Sequence, residues 1–276
     1  MNSKVTDRKT KLVSVVMPAY LKEKTIYRDI LKVKNVLDQI RYPYEIVCCV
    51  DGTSADRTKE IAHKAAKKFP EVIKVVGYSI NHGKGHAVRF GMAKAKGDIV
   101  GFVDAGMDIN PVGIQMLLSH FEWYDADIIV GSKRHPVSKV HYTKFRALIS
   151  FVYQMLVKLL FGLKVRDTQV GIKFFRREVL EKVLPRVLVK QFAFDIELLA
   201  VANYLGFRRI YEAPIESKMD FKNSTILTKG FASTVFSMIW DTAAVFYRLR
   251  ILHYYDWANR KNWLTPKYLT LNNKHD

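Results

Sequence analysis

Through the first half of the chain, short runs of β-branched and other apolar residues alternate with stretches of helical period. LVSVVMP (12–18), YEIVCCVD (44–51), VIKVVGYS (72–79), DIVGFVDA (98–105) and DIIVGSKR (127–134) read as strands. Between them, about 24–40, 56–68, 84–95 and 111–121 read as helices. The strand runs are almost continuously apolar, which implies burial on both faces. Helices between successive strands imply a mostly parallel sheet covered by helices. Ligands of such open sheets gather beyond the carboxyl ends of the strands. The residues that end these runs are therefore the first candidates for chemistry.

The first run ends in Pro18-Ala19-Tyr20, the second in Asp51-Gly52-Thr53 and the fourth in Asp104. After the third comes NHGKGHAVRFG (81–91). Gly83 and Gly85 allow backbone to approach a ligand, Lys84 is a point charge for phosphate, and the following helix offers its N-terminus to an anion. Alone, this loop is equally a solvated turn. Its position on the same edge as two acid-terminated strands favours a ligand. Asp51 has a bland reading as a turn residue, and Asp56 reads as a helix cap. The first strand-helix turn lacks G-x-G-x-x-G, which argues against a nicotinamide dehydrogenase.

Composition narrows the partner. The 276 residues include 45 Lys+Arg against 26 Asp+Glu, a formal charge of +19, so an anionic partner is expected. Nucleic acid fits the sign, but no nucleic-acid-binding motif is recognisable. Hydrophobic residues make up 49%, enough for a sizeable core. The only cysteines, Cys48 and Cys49, are neighbours on a strand and point to opposite faces, so a disulfide or metal pair between them is not expected. The polar N-terminus lacks a signal-peptide core.

SVVMPAY, VDGTSADRT, NHGKGHAVRFGMAKAKGDIVGFVDA and DTQVGIKFF together resemble a family 2 glycosyltransferase of the GT-A fold. More narrowly they are similar to the dolichyl- and polyprenyl-phosphate β-glucosyl and β-mannosyl transferases. The resemblance covers roughly 12–220. It implies an α/β GT-A fold whose nucleotide-sugar donor, UDP-glucose or GDP-mannose, lies against Pro18, Ala19, Tyr20 and Asp51. Gly83, Lys84, Asp104, Ala105 and Gly106 would meet its diphosphate. The family usually has Asn-Glu-Glu after the tyrosine, where this chain has Leu21-Lys22-Glu23, so only Glu23 carries over.

The family's Asp-x-Asp, which holds Mg²⁺ or Mn²⁺, reads Asp104-Ala105-Gly106 here. The second acid is missing. In similar mannose synthases a side chain two residues further on also reaches the metal, and in this chain that is Asp108. Mg²⁺ needs only one or two carboxylates beside phosphate oxygens and water, so Asp104 with Asp108 is the expected metal pair. The alternative is that Asp108 or Asn110 caps the helix starting near Pro111.

GSKRHP (131–136) matches the family's Gly-Ser-Arg/Lys segment, and Lys133, Arg134 and Arg146 are candidates for the acceptor phosphate. From DTQVGIK the resemblance implies catalytic roles for Asp167 and Gln169. For Asp195 and Glu197, a role over the sugar and internal salt bridges both stay open. The segments 141–163 and 230–257 are amphipathic, interrupted by Arg146, Lys158, Asp241 and Arg248, and suit helices lying in a membrane interface. Core or dimer-interface helices and a transmembrane hairpin are the alternatives.

The expected organisation is a polar tail (1–11), a catalytic domain (12–220), membrane-interface helices (221–257) and a polar tail (258–276). The expected activity is inverting transfer of glucose or mannose to polyprenyl or dolichyl phosphate, by a protein bound peripherally to anionic lipid on the cytoplasmic face of the membrane. Two other readings stay open: transfer to a soluble or protein-linked acceptor, and a non-catalytic donor-binding scaffold that lost metal competence at Gly106. The sequence leaves the oligomeric state open, a homo-oligomer included.

Overall fold

A computed structural model of the chain describes residues 11–138, 144–190, 193–217, 231–263 and 269. The five expected strands form as β1 (Val13–Ala19), β2 (Tyr44–Asp51), β3 (Ile73–Tyr78), β4 (Ile99–Val103) and β5 (Ile128–Ser132). The expected helices form as α1 (Ile26–Leu37), α2 (Thr58–Lys68), α3 (Lys84–Lys94) and α4 (Gly113–Trp123). Helix α1 shows why. Ile26, Ile30, Val33 and Leu37 recur at helical spacing and are all buried, each worth about 1.5–3 kcal/mol removed from water.

Two further strands complete a seven-stranded sheet, β6 (Ile172–Arg176) and β7 (Ile210–Pro214), in the order β3-β2-β1-β4-β6-β5-β7. The pairings β1·β2, β1·β4, β2·β3 and β5·β7 are parallel, but β6 runs antiparallel to both its neighbours. Its reversal has a consequence for the site. The residues that precede β6 emerge on the edge where the other strands end, so 167–171 face the turn after β4.

Helix α3 lies tightly on this sheet. A Cβ at Gly91 would stand 2.4 Å from Val16 Cγ1, so only glycine permits this approach. Cys48 and Cys49 are both buried and unbonded, and burial pushes the Cys48 thiol up to about 12.

Four more helices are α5 (Lys144–Phe161), α6 (Arg177–Val183), α7 (Phe194–Tyr204) and α8 (Phe231–Phe246), the last extended by a π-helical turn, Tyr247–Ile251. Helices α5 and α8 meet through a 2.8 Å hydrogen bond between Tyr153 and Thr242 and an edge contact of Phe161 with Phe246. Their other sides leave Phe151, Val152, Met155 and Leu159 on α5, and Phe236, Ile239 and Trp240 on α8, exposed. Among the described residues, no helix is long and apolar enough to cross a membrane.

The C-terminal segment is tied to the domain by Glu197. Its fully buried carboxylate accepts from Tyr255 Oη (2.6 Å), Arg248 (3.3 Å) and the amides of Leu188 (2.9 Å) and Val189 (2.7 Å). Burial raises its pKa, against the pull of these donors.

Candidate active site

Asp51 closes β2, buried, and both its oxygens are used within the protein. The His82 amide donates to Oδ1 at 2.8 Å and the Gly83 amide to Oδ2 at 2.9 Å. The amide of Gly85 donates to the carbonyl of Lys190 at 2.9 Å. The backbone of the glycine-rich loop is thus committed to Asp51 and Lys190, and the loop's group directed at the sheet edge is the Lys84 side chain. Pro18 and Ala19 are buried within β1, which leaves Tyr20, 43% exposed, as the open part of that turn. Glu23 braces the start of α2 by accepting from the Arg57 amide at 3.2 Å. Asp56 takes the capping role, accepting from the Thr58 amide at 2.9 Å.

Beneath the loop, His86 is enclosed by Tyr78, His82 and Phe90. Burial first, then the charges of its neighbours, pushes its pKa down to about 4. The imidazole is therefore neutral at pH 7.

Asp104 stands at the centre of the edge. Its amide donates to the Gly171 carbonyl at 2.9 Å, and Lys84 Nζ lies 2.7 Å from its Oδ2. The carboxylate lies flat over Gly171, where a Cβ would stand 2.0 Å from Oδ2. Its Oδ1 is buried without a hydrogen-bond partner.

Behind this pair is a second. Lys173, fully buried, donates to Asp195 Oδ1 at 2.5 Å and to the Val170 carbonyl at 2.6 Å. Asp195 Oδ2 lies 3.9 Å from Lys84 Nζ. Charges alternate along Lys173, Asp195, Lys84 and Asp104. Burial of Lys84 works against its charged form, but the adjacent carboxylates hold its pKa above the ordinary lysine value. Sequence reasoning passed over Lys173, although a lysine inside the apolar run IKFF was a usable signal: a buried charge must be paired.

The turn after Asp104 is left-handed at Gly106 (φ 111°) and Met107 (φ 59°), and the Gly106 amide donates to buried Asp29 at 3.2 Å. Asp108 is exposed, and the contact made there is its carbonyl accepting from Ser217 at 3.0 Å. Asn110 holds the turn into α4, accepting from the Val112 amide at 3.2 Å and donating to Glu216 at 3.1 Å.

The side chain facing Gly106 is Lys22: a Cβ at 106 would stand 3.2 Å from its Nζ. Asp104 and Asp108 are the pair expected to hold a divalent ion. Asp104 Oδ1 is a suitable orphan, but Oδ2 is held by Lys84 and a second ammonium stands where the missing acid would project. A dication about 4 Å from one ammonium is repelled by roughly 8 kcal/mol at an effective dielectric of about 20, which cancels its attraction to one carboxylate at the same distance. Among the described residues no three His, Cys, Asp or Glu side chains converge as a metal site, although one or two carboxylates suffice for an ion that is also held by phosphate oxygens and water. With Lys22 at Gly106 and Lys84 on Asp104, this donor set is a poor fit for a divalent ion.

On the acceptor side, Asp167 accepts from the Lys133 amide at 3.1 Å and the Gln169 amide at 3.3 Å, pinning the end of β5 to the approach to β6. Gln169 Nε2 is buried with no partner. Arg134 stacks over Phe151, 5.7 Å from its centroid, and donates to the Ser150 carbonyl at 3.0 Å. Arg146 lies on α5, and its side chain falls outside the described residues.

Comparisons with known proteins bear on the family and the fold. The family model for glycosyl transferase family 2 matches residues 14–184. A dolichyl-phosphate beta-glucosyltransferase of Drosophila melanogaster is 32% identical over 206 residues, covering 70% of this chain and 63% of the fly protein. A dolichyl-phosphate beta-glucosyltransferase of Trichomonas vaginalis is 28% identical over 261 residues, covering 90% and 77%. The chain thus spans somewhat less than two thirds of the fly relative's length. Among solved structures, glucosyl-3-phosphoglycerate synthase from Mycobacterium tuberculosis, in complex with Mn²⁺, UDP and phosphoglyceric acid, superposes with a TM-score of 0.62 at 21% identity, covering 86% and 78%. Mannosyl-3-phosphoglycerate synthase from Rubrobacter xylanophilus superposes with a TM-score of 0.66 at 16% identity, covering 87% and 74%. The fold is GT-A. The presence of Mn²⁺ in the mycobacterial complex is consistent with divalent-metal use in that enzyme.

Proposed function

The chain belongs to glycosyltransferase family 2, and on that premise we propose that it transfers glucose from UDP-glucose to a polyprenyl or dolichyl phosphate at a membrane surface. One observation carries the reading. Asp104 Oδ1 and Gln169 Nε2, an acceptor and a donor, are buried without partners at the edge where the strands end. Buried polar groups are almost always paired, so these orphaned groups beside a lysine-carboxylate chain suit a polar, hydroxyl-bearing ligand. A sugar hydroxyl donates to Asp104 and accepts from Gln169, while the donor diphosphate lies towards Lys84 and the base against Tyr20. The names of the relatives support the sugar and the lipid.

The reaction is an in-line displacement. A phosphate oxygen of the acceptor attacks the anomeric carbon as the bond from that carbon to the donor diphosphate breaks. The products are a lipid-phosphate sugar of inverted configuration and a nucleoside diphosphate. A lipid phosphate, with a second pKa of about 6, is already ionised near neutral pH, so no general base is required. Lys133, Arg134 and Arg146 orient it, Asp167 holds Lys133 in place through its backbone, and positioning with charge neutralisation supplies the rate.

The exposed apolar sides of α5 and α8 suit a peripheral position on the cytoplasmic leaflet, where anionic lipid attracts a chain of charge +19. The test is a screen of UDP- and GDP-sugars against polyprenyl phosphate in mixed micelles, with product followed into organic solvent. UDP-glucose should give an extractable product. If every nucleotide sugar fails with lipid phosphate while a soluble acceptor is glycosylated, the lipid reading is wrong.

A further inference from the structure

We propose that Lys22 takes over, as a built-in cation, the work that a metal-holding acid at position 106 would otherwise do. Its ammonium, standing beside the Asp104-paired Lys84, meets the diphosphate of a nucleotide-sugar donor, so that this chain binds its donor without divalent metal. The inference rests on the donor-site reading above and concerns two departures from the family pattern: an acid lost at Gly106 and a lysine present at 22. Far apart in sequence, they face each other in the fold. Within 4 Å of a Cβ at Gly106 the nearest neighbours are Lys22 Nζ at 3.2 Å and Lys22 Cε at 3.8 Å.

The lysine is held there by its backbone. Its amide donates to Thr58 Oγ1 at 2.8 Å, and its carbonyl accepts from the amides of Thr25 (3.0 Å) and Ile26 (2.8 Å). Its ammonium, on a half-buried side chain, makes no ion pair among the described residues. Lys84, by contrast, is already paired with Asp104. Two ammonium groups therefore flank the end of β4, one neutralised and one not. A carboxylate at position 106 would project into the Lys22 ammonium and consume its charge. With glycine there, that charge remains for the ligand. A diphosphate whose charge is met by fixed cations has no need of a divalent ion between it and Asp104.

The test is calorimetric binding of UDP and GDP to the full chain, first stripped with EDTA and then with Mn²⁺ added. The wild type should bind one nucleotide about equally, within roughly twofold, in both conditions. Lys22→Gln should weaken binding in EDTA at least about tenfold, equivalent to ~1.4 kcal/mol. If EDTA abolishes wild-type binding and Mn²⁺ restores it, this inference is overturned while the donor-site reading stands. Equal affinities for Lys22→Gln and wild type in EDTA would also overturn it. If neither UDP nor GDP binds in any condition, both readings fall. The wild-type comparison needs no variant, so the test survives a Lys22→Gln protein that folds poorly.

Discussion

Asp195→Asn is the most revealing single change in the charge chain behind the site. The substitution keeps shape and removes one negative charge. Lys173, fully buried, is then left with the Val170 carbonyl at 2.6 Å and a neutral amide in place of a carboxylate at 2.5 Å. Breaking a buried pair by removing one partner costs about 3–5 kcal/mol. At about 2–4 °C per kcal/mol for a large domain, the melting temperature should fall by roughly 6–20 °C. Burial lowers the pKa of Lys173 and Asp195 holds it up. The unfolded chain therefore binds the proton more tightly, and stability rises with pH through the interval below the ordinary lysine value. The defect should accordingly be largest near neutrality and shrink towards alkaline pH. Lys173→Met with Asp195→Leu removes both charges and should recover most of the loss, as replacements of buried pairs by apolar residues do. Urea unfolding of the wild type, single and double variants reads all three. A loss under about 1 kcal/mol for Asp195→Asn, or a double variant no better than the single, would refute the buried-pair account.

The site offers three further tests. Gly171→Ala places a Cβ where the Asp104 carboxylate lies, 2.0 Å from Oδ2, so turnover should fall by at least about tenfold, or ~1.4 kcal/mol of barrier, while circular dichroism stays native. His86 has its pKa lowered to about 4, so the unfolded state binds its proton first; stability falls as pH drops from the ordinary histidine value towards 4 and levels off below. That contribution is on the order of 2–3 kcal/mol, and His86→Phe should flatten this part of the urea-stability profile. Asn110→Ala should cost about 1 kcal/mol by thermal unfolding through loss of its turn contacts, while Asp108→Ala, exposed, should leave both stability and EDTA-insensitive nucleotide binding near wild type.

Much of the fold was legible because its signals are local. Apolar runs of strand length alternate with helical periods, and each of β1 to β5 and α1 to α4 formed within a few residues of its sequence pattern. Asp51 and Asp104 were legible for the same reason, since each closes an apolar run. The glycine-rich loop was legible in composition but not in use. Its amides turn to Asp51 and Lys190, the latter over a hundred residues away and invisible to any local period.

By itself the sequence determined the class of sheet, the edge on which chemistry gathers and the family whose motifs lie there. Tertiary structure decided what the edge contains. The antiparallel insertion of β6 between β4 and β5 brings Gly171 under Asp104 and buries Lys173 against Asp195. The turn between β1 and α1 places Lys22 over Gly106. These are pairings between residues distant along the chain. Propensity and period act over a few residues, whereas the partner of a buried charge is chosen by whichever strand the fold sets beside it.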